Sequence, residues 1–182
     1  MKYSSIKTYL RPQSIYGRRS TTISHAFAAA IVPIEAYDAE KVKGQLVGLG
    51  QDNLNDLTCV YCDKAAETWD HLYNLVRDKM PNGGGHQVGN LVPCCGHCNS
   101  EKGSKDWRKY LQGKMSGERY ESRCTQIEVY CSGVVTVDLE RMQVEHPDDY
   151  QKFWELRDKI LLLMHDADEI ASRLHCPAQE LL

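Results

Sequence analysis

Apolar positions along the 182-residue chain fall into three regimes. Near the N-terminus, Val42, Leu46 and Leu49 recur at helical spacing behind Asp38, and Gly50 follows; this predicts a helix capped by Asp38 and stopped at the glycine. Residues 26–32 predict a shorter helix, capped by Ser24 and ended or kinked by Pro33. Residues 1–22, with Pro12, Gly17 and many hydroxyls, read as an irregular basic arm. In the middle of the chain the apolar runs are short. Residues 68–72 and 89–93 predict two brief strands, the PNGGG run at 81–85 predicts a loop, and residues 98–111 predict a helix ending at Gly113. Further on, 126–131 and 134–139 alternate polar and apolar positions around Ser132-Gly133, the pattern of a β-hairpin. From Pro147 onward Phe153, Leu156, Ile160, Leu163, Met164, Ala167, Ile170, Ala171 and Leu174 form a 3.6-residue stripe that closes at Pro177. That stripe predicts a long helix packed on the core or on a second copy of the chain.

These elements predict an α+β fold in three regions. Residues 1–57 hold the basic arm and N-terminal helices, with a polar linker at 52–56. Residues 58–114 hold the two short strands and a helix. Residues 115–182 hold the hairpin and the long amphipathic helix. No internal repeat or low-complexity tract breaks the pattern.

Composition narrows the class. The chain is 42% apolar and 26% charged, ordinary for a globular protein. No run approaches the roughly 18 apolar residues of a membrane helix, and no long apolar segment follows the N-terminal lysines as in a secretory signal. A cytoplasmic location without membrane association is therefore expected. Net charge is -3, which argues against a uniformly basic nucleic-acid protein. The charge is uneven, however. Residues 1–34 carry Lys2, Lys7, Arg11, Arg18 and Arg19 and no acid, residues 101–123 are rich in Lys and Arg, and the stretch from Asp138 is acidic. A basic front with an acidic tail suits a protein that turns one face to a polyanion.

The eight cysteines sharpen this picture. In a reducing compartment, paired Cys-x-x-Cys turns point to metal rather than disulfide. Cys59 with Cys62, and Cys95 with Cys98, supply the four sulfurs of a tetrahedral structural zinc. Cys94 lies next to Cys95, but only Cys95 has the spacing to Cys98. The remaining cysteines, Cys94, Cys124, Cys131 and Cys176, show no ligand spacing and read as small buried hydrophobes. Cys95-Gly96-His97-Cys98 also has the form of a thiol-disulfide redox site, but the chain lacks the run of strands and helices such a site requires.

Between the two cysteine pairs stand Asp70-His71, at the end of the first strand, and Asn90; Asn99 directly follows Cys98. If zinc draws the two turns together, Asp70 and Asn99 converge as oxygen ligands for a hard divalent ion. Strand alternation turns His71 to the opposite face from Asp70, beside the ion and able to take a proton from water. Such a metal and base suffice for phosphodiester hydrolysis.

Asp70-His71, then Asn90-Leu91-Val92-Pro93, then Cys95-x-x-Cys98-Asn99-x-x-Lys102-Gly103 resemble the HNH, or ββα-metal finger, nuclease motif over residues 58–110. The four cysteines are similar to those of the zinc-binding subset. The resemblance implies a metal-dependent endonuclease that hydrolyses DNA, with His71 as general base and Mg²⁺ or Mn²⁺ on Asp70 and Asn99. It implies that Asn90 braces the interstrand loop and that Lys102 contacts phosphate. Asparagine stands at 99 where many members have histidine, an H-N-N variant. On this reading Lys105 and Arg108 (followed by Lys109 and Lys114), and Arg18 and Arg19 of the arm, track the phosphate backbone. The loop at 73–89 is longer than the motif needs, and its His86 is expected to be an exposed loop histidine rather than a contact to substrate or metal. A restriction-like or defence enzyme acting as a homodimer fits a small chain with flanks of its own, as does a less specific phage or mobile-element nuclease. The competing expectation is a zinc-stapled module that grips nucleic acid or a protein partner without cutting.

Overall fold

The computed structural model describes residues 3–77, 80–82 and 84–179, at Met80 and residues 176–179 through the backbone alone. About 59% of the described residues are helix and 9% strand, an α+β composition. Two compact units form: one from the residues up to Phe27 together with those from Glu140 on, the other from Ala28–Leu139. Most of the helix at Ile15–Ile31 shares one unit with the helix at Pro147–Gln179.

Helix α1 spans Ile15–Ile31 and lies in the terminal unit up to Phe27. It begins nine residues before the expected Ser24 cap, and the reason lies in a distant side chain. Ser14 Oγ accepts from Gly17 N at 2.7 Å and donates to Asp168 at 2.7 Å. The Asp168 carboxylate in turn accepts from Ile15 N and Tyr16 N at 2.6 and 3.1 Å. An N-cap reinforced by a carboxylate satisfies donors that the first turn leaves unpaired. The same Ser14 bond, with the backbone donors, holds the Asp168 carboxyl below its usual pKa. Tyr16 stacks on His165 at 3.8 Å and Phe27 meets Phe153 at 4.9 Å.

The long C-terminal helix occupies Pro147–Gln179, running past Pro177 instead of ending there. Its covered side is the one bearing Phe153, Trp154, Arg157, Leu161, Met164 and Asp168. The expected stripe is split: Phe153, Met164 and Ala167 lie on this side, whereas Leu156, Ile160, Leu163, Ile170 and Leu174 are exposed, Leu174 by 72%. Among the described residues, no helix is long and apolar enough to cross a membrane.

The central unit opens with helix α2, Ala39–Gly48, where Asp38 accepts from Glu40 N and Lys41 N at 3.0 and 3.1 Å. Gly50 follows at φ +86°, the left-handed conformation that glycine adopts without strain. Strands β1, Thr68–His71, and β4, Leu91–Cys94, pair antiparallel with Asp70 opposite Val92 and His71 opposite Leu91. Between them a small hairpin pairs β2, Val76–Arg77, with β3, Met80–Pro81.

Helix α3, Gly96–Lys102, then packs on β1. The single helix expected over 98–111 is two. Gly103 takes φ +49° and ends α3, and Asp106 caps α4, Trp107–Gln112, by accepting from Lys109 N. Trp107 and Leu111 are thereby buried in the core.

The hairpin expected at 126–139 is absent; Gly117–Cys131 form helix α5. Its helical period is carried by Ile127, Tyr130 and Cys131, all buried, which a six-residue window cannot distinguish from alternation. Helix α6, Leu139–Glu145, precedes the long C-terminal helix α7.

A four-cysteine cluster and a buried ion pair beside two histidines

The first Cys-x-x-Cys turn is closed by its own backbone. Cys62 N and Asp63 N both donate to Cys59 O, and Asp63 sits at φ +58°. From α5, Arg123 donates to Val60 O at 3.1 Å and to Asp63 at 2.9 Å, and Arg119 also pairs with Asp63. The second turn starts α3, where Cys95 Sγ accepts from Cys98 N at 3.4 Å. The two turns bring the sulfurs of Cys59, Cys62, Cys95 and Cys98 within 4.8 Å of one another. Tetrahedral zinc with Zn–S bonds of about 2.3 Å needs sulfurs roughly 3.8 Å apart, so this donor set fits a closed structural metal such as zinc.

Cys94 lies outside the set. It is fully buried, with its Sγ 3.9 Å from Cys59, and donates to Cys95 O. That contact with Cys94 draws the Cys59 thiol down, while burial pushes Cys98 and Cys62 up. Cys124 is half-buried and Cys131 buried, whereas the Cys176 side chain lies outside those described.

Asp70 and His71 face opposite ways from β1, as alternation requires. Asp70 is buried. Its carboxylate accepts from Tyr61 Oη at 2.8 Å and faces Lys102 Nζ at 3.1 Å, with Lys102 and Asp70 side chains 0% and 5% exposed. Lys102 Nζ also donates to His71 O at 2.9 Å and to Asn74 Oδ1 at 3.4 Å. Burial raises the Asp70 carboxyl, and the Lys102 charge and the Tyr61 hydroxyl oppose that rise. Burial likewise raises the Tyr61 phenol, with the Asp70 charge adding to it.

Lys102, expected at a phosphate, is thus turned inward, because a buried carboxylate needs a counter-charge. Asn99 sits one turn earlier on the same face of α3 and is half-buried. The oxygens of Asp70, His71 and Asn74 therefore already surround one positive charge. They are hard donors suited to a divalent ion. In this arrangement the Lys102 ammonium takes the place beside Asp70.

Asn90 is wholly buried and ties the loop to β1. Its Oδ1 accepts from Tyr73 N at 2.7 Å, and its Nδ2 donates to Tyr73 O at 3.0 Å and Gly85 O at 2.8 Å. The loop closes tightly here: a Cβ on Gly84 would come 2.0 Å from Tyr73 O, and one on Gly85 2.2 Å from Pro33 O. Next in the chain, His86 lies half-buried, not exposed. His86 N donates to Pro33 O at 2.9 Å and His86 O accepts from Glu35 N at 3.0 Å. Its Nδ1 is 3.2 Å from His71 Nε2, the rings edge-on at 5.1 Å.

Of the expected surface cations, Arg108 is engaged by Glu128 at 2.7 Å and lies over the Trp107 ring. Lys105 lines an open groove of about 540 Å³ with Arg77, Lys109 and Lys114. The acids there are already committed: Asp106 caps α4, and Glu101 binds Lys114 and Tyr110. Arg18 and Arg19 are exposed on α1, in the terminal unit. Sequence reasoning missed Tyr61 and Asn74 altogether, since neither stands at a motif position. Arg77 was also missed, because only the β2–β3 hairpin brings it to the groove.

No protein-family model, no curated protein and no solved structure matches this chain.

Proposed function

We propose that the chain is an HNH-type endonuclease that hydrolyses DNA phosphodiester bonds. The observation that carries the reading is the setting of His71. It ends a strand that packs on α3, whose start carries half of the cysteine cluster, next to a buried carboxylate paired with an ammonium, and its loop is braced by a fully buried asparagine. In this reading His71 takes a proton from the attacking water, for which a neutral imidazole is suited near pH 7. Asn90 fixes the backbone that orients it. Asp70 and Asn99 would hold Mg²⁺ or Mn²⁺, which supplies charge stabilisation for the pentavalent phosphate and the leaving oxygen. The groove lined by Arg77, Lys105, Lys109 and Lys114 supports contact with the phosphate backbone. The exposed stripe of α7 is the surface on which the proposed homodimer would form. A restriction or defence role is the biological setting that suits such an enzyme.

Incubating the zinc-loaded chain with supercoiled plasmid in Mg²⁺ or Mn²⁺, against an EDTA control, tests the proposal. Nicked or linear product that depends on the added ion supports it. A second reading, a zinc-stapled module that binds nucleic acid without cutting, is favoured by the Lys102–Asp70 pair, which closes the carboxylate to metal in this arrangement. DNA retained in a mobility shift yet intact in either ion selects that reading.

A further inference from the structure

Two backbone segments far apart in sequence hold His71 and His86 against each other, and one side chain governs both. Asn90 binds Tyr73, two residues after His71, through its N–H and its C=O, and binds Gly85, one residue before His86, through its C=O. His86 is further fixed by its two backbone bonds to Pro33 and Glu35. The Gly84 and Gly85 backbones approach their neighbours too closely for a side chain. A histidine delivered this rigidly to within 3.2 Å of another ring nitrogen is preorganised to hydrogen-bond it.

Resting on the nuclease reading above, the geometry points to His86 as the positioning residue of the general base: its Nδ1 accepts the Nε2–H of His71 and so fixes the His71 tautomer. A neutral imidazole carries one N–H, so a bond that places it at Nε2 makes Nδ1 the basic nitrogen. In the reaction the water proton goes to His71 Nδ1, and the water oxygen bonds to phosphorus as the bond to the leaving oxygen breaks. The leaving oxygen takes a proton from solvent. The resulting imidazolium still donates through Nε2 to His86, which keeps the ring from turning while it is charged. The long loop at 73–89 thereby has a role: it carries the base's partner.

The test compares His86→Asn, His86→Gln and His86→Ala in the full zinc-loaded chain. Asparagine can place an amide oxygen where Nδ1 stood; glutamine reaches beyond it and alanine offers nothing. Equal zinc content and unchanged thermal midpoints establish that each variant folds. His86→Ala and His86→Gln should lose kcat by roughly 10- to 100-fold with KM unchanged, the range seen when the partner that orients a functional histidine is removed. His86→Asn should recover most of the rate. Imidazole ¹H–¹⁵N correlation spectra without added Mg²⁺ should show His71 as the Nε2–H tautomer in the wild type and a tautomer mixture in His86→Ala. Wild-type kcat in His86→Ala, or a wild-type His71 protonated at Nδ1, overturns the assignment. A wild type that cuts no DNA ends the nuclease reading, and the tautomer spectra then decide the histidine pairing by themselves.

Discussion

Replacing Lys102 by methionine removes the ammonium facing Asp70 while keeping most of the buried stem. Both side chains are almost fully out of solvent, and the ammonium also serves His71 O and Asn74, so no water replaces it cheaply. Breaking a buried pair from one side costs about 3–5 kcal/mol, because the partner is left as an uncompensated charge. A domain of about 100 residues loses some 4–8 °C per kcal/mol, so the melting midpoint should fall by roughly 10 °C or more. The loss should also depend on pH. Burial already raises the Asp70 carboxyl, and Lys102 is the main influence opposing it. Without Lys102 the folded pKa rises further. A carboxyl raised by folding binds its proton more tightly in the native state, so stability falls as pH climbs from the unfolded pKa through the raised one. The Lys102→Met penalty should therefore be largest near pH 7 and shrink as Asp70 protonates in acid. Asp70→Asn in the same chain should recover much of it, since the buried charge is gone. Urea titrations of the zinc-loaded variants at several pH values measure this. A Lys102→Met chain as stable as wild type at pH 7, with the same pH dependence, would rule out a buried Asp70 carboxylate held by Lys102.

Other consequences are as direct. Cys98→Ser, or a strong chelator, should remove one equivalent of metal by elemental analysis and melt the central unit, because the free energy of binding a structural zinc is largely folding free energy. Asn90→Ala leaves Tyr73 N, Tyr73 O and Gly85 O without their buried partner; a loss of about 2–4 kcal/mol by chemical denaturation is expected, with faster amide exchange along 73–86. Neutralising Lys105 and Lys109 together should weaken DNA binding in EDTA and flatten its log–log salt dependence by about 0.9 for each phosphate that a lysine no longer neutralises.

Much of the central unit is legible in the sequence because short-range chemistry decides it. The Cys-x-x-Cys spacing alone places Cys95 rather than Cys94 in the cluster, and the Asp38 cap and Gly50 stop mark α2 unaided. What the sequence conceals depends on distant partners. Helix α1 starts at Ile15 because Asp168, more than 150 residues away, supports its cap. The segment 117–131 is a helix because its buried side fits the core, a period that a short alternating window hides. The apolar stripe of α7 predicts one packing face, yet only Phe153, Met164 and Ala167 of it share the covered side with Trp154 and with Arg157, whose side chain lies over the Trp154 ring and covers surface although the residue is charged. Lys102 and His86 escape prediction for a related reason. A lysine after a motif and a histidine in a glycine-rich loop both look solvent-facing until the carboxylate or ring they meet is known.

The proposed chemistry turns on His71 acting as the base of a DNA-cleaving centre. Single-turnover cleavage of plasmid by wild-type and His71→Ala chains, matched for zinc content and thermal midpoint and assayed in Mg²⁺ and Mn²⁺, decides whether it does. Wild type should cut, and His71→Ala should be slower by about 10²- to 10⁴-fold, the contribution of a positioned base. Equal rates for the two chains, or no cutting by wild type in either ion, would overturn that role for His71.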